Sequence, residues 1–285
     1  MDDVKSLVRD SVELASLPAV VYRALELLDD VQASASGIGR VIGEDPALTA
    51  RLLKIVNSAF YGFPSRIDTI SRAITIIGTQ ELTDLILGTS TIDAFSKFPN
   101  RLINMQRFWE HSLYTGVVSR ILARRMHRPG AERYFVMGLL HDIGTLVLYR
   151  KQPDLACRAL QLATESTLPL ELAEVEVFGF HHGTVGAELM QAWKVPATFA
   201  EVSLHHHQPS AAERYPLETI TVHLADIITC MSHGTASDTG ESAVLEPGAW
   251  ELAGLSADIL ESVIGEADAC FAEASAALLP RTGVA

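Results

Sequence analysis

No stretch of this chain is apolar enough to lie across a bilayer. Its longest uninterrupted apolar runs reach about seven residues, against the roughly 18–20 that a membrane-spanning helix needs. Cysteine is scarce, with three residues at 157, 230 and 270. An odd number at wide spacing makes no disulfide framework and fits a reducing cytoplasm. Positive charge is also short: 22 Lys and Arg face 35 Asp and Glu, a net charge of −13. That balance excludes non-specific nucleic-acid binding, which needs a basic surface to release counterions. It leaves a small phosphate ligand open, because a metal can supply positive charge locally. The opening residues MDDVKSLVRDSVELA contain neither a basic leader nor an apolar core, so no signal peptide is expected. Period-two alternation, the mark of a half-buried strand, is missing over any useful length.

What is present is helical periodicity. Residues 17–29, LPAVVYRALELLD, put apolar groups at 20, 21, 24, 25, 27 and 28 behind Pro18, which suits a first turn. GIGRVIGEDPALTARLLKIVNSAF predicts two helices divided near Glu44-Asp45, with Asp45 as N-cap and Pro46 at the first helical position. TISRAITIIG and TQELTDLILGTSTIDAF follow, with Gly78 as a C-cap between them. A second helical block starts near Asn104 and runs through RYFVMGLLHDIGTLVLYR, HHGTVGAELMQAWK and PLETITVHLADIITCMS. Residues 232–247, rich in Ser, Gly and Thr, read as a mobile loop before two closing helices. The chain is expected to be all-α: an N-terminal helical subdomain over 1–100, a helical bundle over 101–235, and the loop with closing helices over 236–285.

Within this apolar frame the imidazoles stand out. Seven of the ten histidines fall in or at the ends of apolar helical stretches: His111, His141, His181, His182, His205, His206 and His207. Burying His141 beside Asp142 costs several kcal/mol (~2–7 for one uncompensated polar group) unless a partner, a metal or a proton compensates. Zinc, iron and manganese take imidazole and carboxylate ligands, and helices of a bundle can project such ligands inward from several sides. Asp226 shares a helix face with His223, three residues before it, and Cys230, four after. Two readings remain for Asp226, a pocket ligand or a surface charge, and two for His205-His206-His207, ligands or an exposed cluster. Asn57, in the polar turn NSAFYG, is either a helix-end tie or part of a contact surface.

The succession LPAVVYRALELL, EDPALTARLLKIVNSAFYG, ISRAITIIGTQEL, FWEHSLYTGVVSRILA, YFVMGLLHDIGTLVLY, FHHGTVGAELMQAW and LHHHQP resembles the HDOD domain. These HD-related output domains belong to bacterial signalling proteins, and the resemblance covers roughly residues 10–235. It implies an N-terminal helical subdomain packed on an HD-domain-like bundle. The implied role is cytoplasmic signal transduction through a protein partner, in a stand-alone module with no receiver or GGDEF-like segment. Most HDOD domains keep only part of the HD metal set, and this chain keeps much of it. Against the related HD-GYP phosphodiesterases, the matching residues are His111, His141, Asp142, His182, His206, His207 and Asp226. The resemblance implies one centre at His111, His141, Asp142 and Asp226 and another at His182, His206 and His207. Asp142 would bridge them as the catalytic carboxylate, over one or two iron, manganese or zinc ions. Two departures weigh against turnover of a cyclic dinucleotide: Thr145 stands where the enzymes carry a lysine, and the GYP stretch is reduced to Tyr215-Pro216. The expectation is a non-catalytic or weakly catalytic signalling module, with a metal-dependent phosphohydrolase as the alternative.

Overall fold

The computed structural model describes residues 2–12, 17–29, 32–58, 61–96, 102–233 and 244–279. Helices α1 (Asp2–Val12), α2 (Ala19–Asp29), α3 (Ala35–Ile42), α4 (Pro46–Val56), α5 (Ile70–Ile77) and α6 (Thr79–Ser96) make up the first third. Then come α7 (Met105–Arg125), α8 (Ala131–Leu140), α9 (Ile143–Lys151), α10 (Pro153–Ser166) and α11 (Leu170–Phe178). The chain continues through α12 (His182–Ala192), α13 (Ala197–His205), α14 (Pro216–His233), the single turn α15 (Ala249–Leu252) and α16 (Leu260–Leu278). No strand occurs among the described residues, so the all-α expectation holds.

Local chemistry sets the helix ends. The Asp45 carboxylate accepts from the backbone N–H of Ala47 and Leu48, opening α4 with Pro46 in its first turn. Gly78 closes α5 at φ +96°, a conformation open to glycine and costly for other residues. Asn104 caps α7 through the N–H groups of Gln106 and Arg107. At the end of α4, the Asn57 amide donates to Leu53 O and Ile67 O and accepts from Ile67 N, so this side chain ties a helix end to the next loop.

The chain divides into two compact units, 1–16 with 99–267, and 17–98 with 268–285. In the smaller unit, α3 packs on α5 and α2, and α4 packs on α6. Its core is mostly apolar, with Ile38, Ile42, Leu48, Leu52, Ile55 and Leu82 excluded from water. In the larger unit, α7 lies against α8 and α14, while α12 lies against α9 and α13. Helix α1 turns Val4 and Val8, one turn apart, into this unit against α12 and α9. Boundaries drawn at residues 100 and 235 cut the chain into consecutive blocks, whereas the compact units interleave along it. Such pairing depends on contacts far apart in sequence, which periodicity does not carry.

Two further differences from the sequence reading concern local structure. The apolar stretch 134–149 is not one continuous helix: it breaks at His141 and Asp142, between α8 and α9. The closing segment forms the short α15, a 3-10 turn over Ala257–Ile259 and one long helix. Of the expected loop at 232–247, residues 232 and 233 finish α14 and residues 234–243 lie outside the described residues.

Candidate metal centre

The break between α8 and α9 gives the His-Asp pair its use. Asp142 stands at the N-cap position of α9, yet its side chain makes no capping bond, so the carboxylate is turned inward instead. His111 comes from the middle of α7, His182 from the first turn of α12, His206 and His207 from the turn after α13, and Asp226 from the middle of α14. All of these except His207 are buried. The fold brings the seven sequence-predicted residues to one place.

Asp142 is the hub of this cluster, and its two oxygens face different groups. Oδ2 lies 3.0 Å from His141 Nε2 and 3.8 Å from His111 Nε2. Oδ1 lies 3.2 Å from His206 Nε2 and 3.3 Å from His182 Nε2. Asp226 Oδ1 closes the first side, at 3.1 Å from His111 Nε2 and 3.8 Å from His141 Nε2. On the second side, His207 Nε2 comes within 2.9 Å of His182 Nε2. The ligand atoms of Asp142, His182, His206 and His207 all lie within 4.8 Å of one another, as do those of His111, His141 and Asp142. Donor atoms around a tetrahedral ion, with bonds of roughly 2.0–2.3 Å, sit about 3.3–3.8 Å apart, so both groups have the size of a metal site.

The surroundings aim the ring nitrogens. His141 Nδ1 donates to Gly138 O at 2.7 Å, and His206 Nδ1 donates to Ser203 O at 2.8 Å. A neutral imidazole that donates at Nδ1 keeps its lone pair on Nε2, and here both Nε2 atoms point into the cluster. His182 Nδ1 donates to Glu174 Oε2 at 2.7 Å, and the same oxygen accepts from the His182 backbone N–H at 2.8 Å. A carboxylate behind a histidine in this way orients metal-binding imidazoles and raises their basicity. His223 donates from Nδ1 to His206 O and accepts at Nε2 from the Glu246 N–H. Close approach of α9 to α12 is also required: a Cβ on Gly144 would meet His182 O at 2.0 Å and Gly186 N at 2.5 Å.

The electrostatics follow from these contacts. Burial alone would raise the pKa of Asp142, but the neighbouring imidazoles, His141 foremost, hold it well below the usual carboxylate range. Asp226 is likewise lowered, with burial opposed mainly by its hydrogen bond to His111. Burial would lower His182, yet Glu174 and Asp142 together raise it well above an ordinary histidine. His207 goes the other way, pushed well down by desolvation of its ring and then by the neighbouring His206 and His182 imidazoles.

Whether these residues suit a cation is decided by atoms that protein groups leave unsatisfied. His141 Nε2, His206 Nε2 and Asp142 Oδ1 are buried and have no hydrogen bond. Such atoms carry a desolvation cost of ~1–3 kcal/mol each, and they converge on the same spaces. A divalent cation takes this set of donors, so the residues fit one.

One edge of the centre opens outward. A cleft of about 650 Å³ runs beside His181 and His207, lined also by Leu172, Val175, Glu171 and Glu246. None of its lining residues is lysine or arginine, and burial raises the pKa of Glu171. Thr145 is buried and its hydroxyl has no hydrogen bond. His127, on the surface, takes no part in the cluster.

The sequence reading missed Glu174. It stands on the buried stripe of α11 with Leu170 and Ala173 and is wholly excluded from water. A glutamate at an i+4 core position was the available signal.

An all-helical unit in which a His-Asp pair meets histidines and an aspartate from neighbouring helices defines an HD-type helical domain. The chain belongs to the HDOD domain family, whose sequence profile matches residues 14–209. Among curated proteins, an uncharacterised protein of Treponema pallidum is 26% identical over 218 residues, 75% of this chain and 42% of its own length. YuxH of Bacillus subtilis is 28% identical over 129 residues, 44% of this chain and 31% of its own. The chain therefore spans less than half the length of these relatives. A solved HDOD domain protein from Geobacter sulfurreducens shares the fold at a TM-score of 0.73 and 21% identity, covering 97% of each chain. A Shewanella amazonensis protein described as a candidate phosphohydrolase does so at 0.74 and 22%, covering 95% of this chain and 98% of that one. No helix among the described residues is long and apolar enough to cross a membrane.

Proposed function

We propose that this chain is a regulatory output module of bacterial signalling, working in the cytoplasm through a protein partner. Its His/Asp pocket holds one or two divalent cations, iron, manganese or zinc, and it hydrolyses phosphodiesters weakly or not at all. The observation that carries the metal reading is Asp142, whose two oxygens face separate groups of imidazoles while His141 and His206 present lone pairs inward. His111, His141, Asp142 and Asp226 would hold one cation, and His182, His206 and His207 with Asp142 the other. Such a pair supplies Lewis acidity to a phosphoryl oxygen and a lowered pKa to water.

Weak turnover is supported by what surrounds the pocket. Developing phosphate charge is ordinarily met by cationic side chains, yet Thr145 stands beside the pair and the cleft at His207 carries Glu171 and Glu246 without a lysine or arginine. The second reading, a phosphohydrolase acting on a cyclic dinucleotide, is favoured by the completeness of the ligand set. Two structural neighbours described as candidate phosphohydrolases, one of them as metal-dependent, point the same way.

The test is elemental analysis of protein purified anaerobically, beside Asp142→Ala. About one or two equivalents of metal per chain, lost in the variant, is the expected result. Hydrolysis of a cyclic dinucleotide by the loaded protein, abolished in the variant, would make the second reading correct. Well-folded protein that takes up no metal under any loading condition would defeat both.

A further inference from the structure

Opposite the open cleft, the Asp226 side of the pocket holds a donor that the histidine pattern does not include. Cys230 follows Asp226 by one helical turn on α14, and its Sγ lies 3.8 Å from Asp226 Oδ1. The ligand atoms of His111, Asp226 and Cys230 lie within 4.8 Å of one another. Asp226 Oδ1 thus has three donors around it: His111 Nε2, His141 Nε2 and Cys230 Sγ. His141 Nε2 is buried, has no hydrogen bond and is aimed at the same space. A sulfur–oxygen separation of 3.8 Å matches two ligands of one ion, with metal–sulfur and metal–oxygen bonds of roughly 2.3 and 2.0–2.2 Å.

We infer that Cys230 is a thiolate ligand of the cation held at His111 and Asp226, an inference that rests on the pocket being a metal site. Coordination forms a sulfur–metal bond and breaks the S–H bond, the proton passing to solvent, with no change of oxidation state. A soft sulfur donor at this side and only imidazole and carboxylate donors at the other make the two sides chemically unequal. Zinc, iron, cobalt and cadmium are favoured on the Cys230 side, while manganese gains little from sulfur.

Cobalt(II) reports the difference directly, because thiolate ligation adds a charge-transfer band in the near ultraviolet that imidazole and carboxylate do not give. The full chain is stripped of metal and titrated with Co²⁺ as wild type, Cys230→Ser and Cys157→Ser. Wild type and Cys157→Ser are expected to show the band; Cys230→Ser is expected to lose it while keeping the visible d–d absorption. Its affinity for Cd²⁺ should fall about tenfold or more, with Mn²⁺ little changed. Cobalt bound by wild type without the band, or a band that survives in Cys230→Ser, overturns the inference and leaves the pocket reading standing. No cobalt bound at all overturns both. If Cys230→Ser does not fold, ¹¹³Cd NMR of the wild type decides: a resonance in the sulfur-ligated range supports the thiolate, and one in the nitrogen and oxygen range overturns it.

Discussion

The unit over residues 17–98 and the larger unit over 99–267 are built from helices of the same kind, yet they bury different things. In the first, the buried polar groups include Thr89 and Thr91, and each returns its hydroxyl to a carbonyl one turn back, Leu85 O and Leu87 O. Asp84 and Ser90 of the same helix are buried too, and the Ser90 hydroxyl has no hydrogen bond, but no histidine lies in residues 17–98 to join them, and the rest of the core is mostly aliphatic. The second buries His111, His141, Asp142, His182, His206 and Asp226 together, with ring and carboxylate atoms that hydrogen bonds do not satisfy. A mainly aliphatic core adds to stability, whereas a cluster of several unsatisfied donors is a cost that binding offsets. Stability and chemistry should therefore separate when each unit is perturbed.

The largest expected effect lies in the aliphatic core. Leu52 is wholly buried on α4, so Leu52→Ala should lower folding free energy by about 2–5 kcal/mol through lost burial and the cavity left behind. The denaturant midpoint should fall by a similar amount whether or not divalent cations are present. A loss below about 0.5 kcal/mol would mean that this core is loosely packed and that the contrast between the units is overdrawn.

That contrast was only half legible in the sequence. The caps at Asp45 and Gly78 and the stripe of α2 were readable, because they depend on residues within one turn of each other. The seven pocket residues were assembled by family resemblance, since they come from separate helices and no local spacing links His111 to Asp226. The helix break at His141-Asp142 was hidden by the apolar residues flanking it, which favour helix on both sides. Glu174 was hidden among Glu171 and Glu176, three acids in one helix of which only the middle one faces inward. Membership of α1 in the larger unit depends on Val4 and Val8 meeting helices nearly 140 residues away or more, which no window of sequence contains.

A smaller and different effect is expected at Glu174. Glu174→Gln keeps the shape and an acceptor for the His182 N–H groups, and removes the charge behind the imidazole. His182 becomes less basic, and metal affinity should drop by about 10–100-fold, or roughly 1.4–2.7 kcal/mol at 1.36 kcal/mol per decade. Metal-ion competition with a chromophoric chelator measures it. The unfolding midpoint of the metal-free protein should shift far less than that of Leu52→Ala. Unchanged affinity would show that His182 is not a ligand and that its bond to Glu174 is structural.

The smallest effect concerns Asn57, for which the sequence left two readings. Its amide makes three hydrogen bonds, to Leu53 O and to both backbone groups of Ile67, at 2.6–2.7 Å. Ile67 is itself buried, so losing the amide strips partners from backbone groups that water reaches poorly. At ~0.5–1.5 kcal/mol net per bond, with part of the loss recovered by relaxation, Asn57→Ala should cost about 1–2 kcal/mol. Asn57→Asp separates the terms, since a carboxylate can still accept from Ile67 N but cannot donate to the two carbonyls. Its cost should fall on the same scale, because two of the three bonds are still lost. If both variants unfold at the wild-type midpoint, the tie is dispensable and Asn57 belongs to a contact surface. If both lose stability, the tie between α4 and the loop at Ile67 serves the folding of this unit.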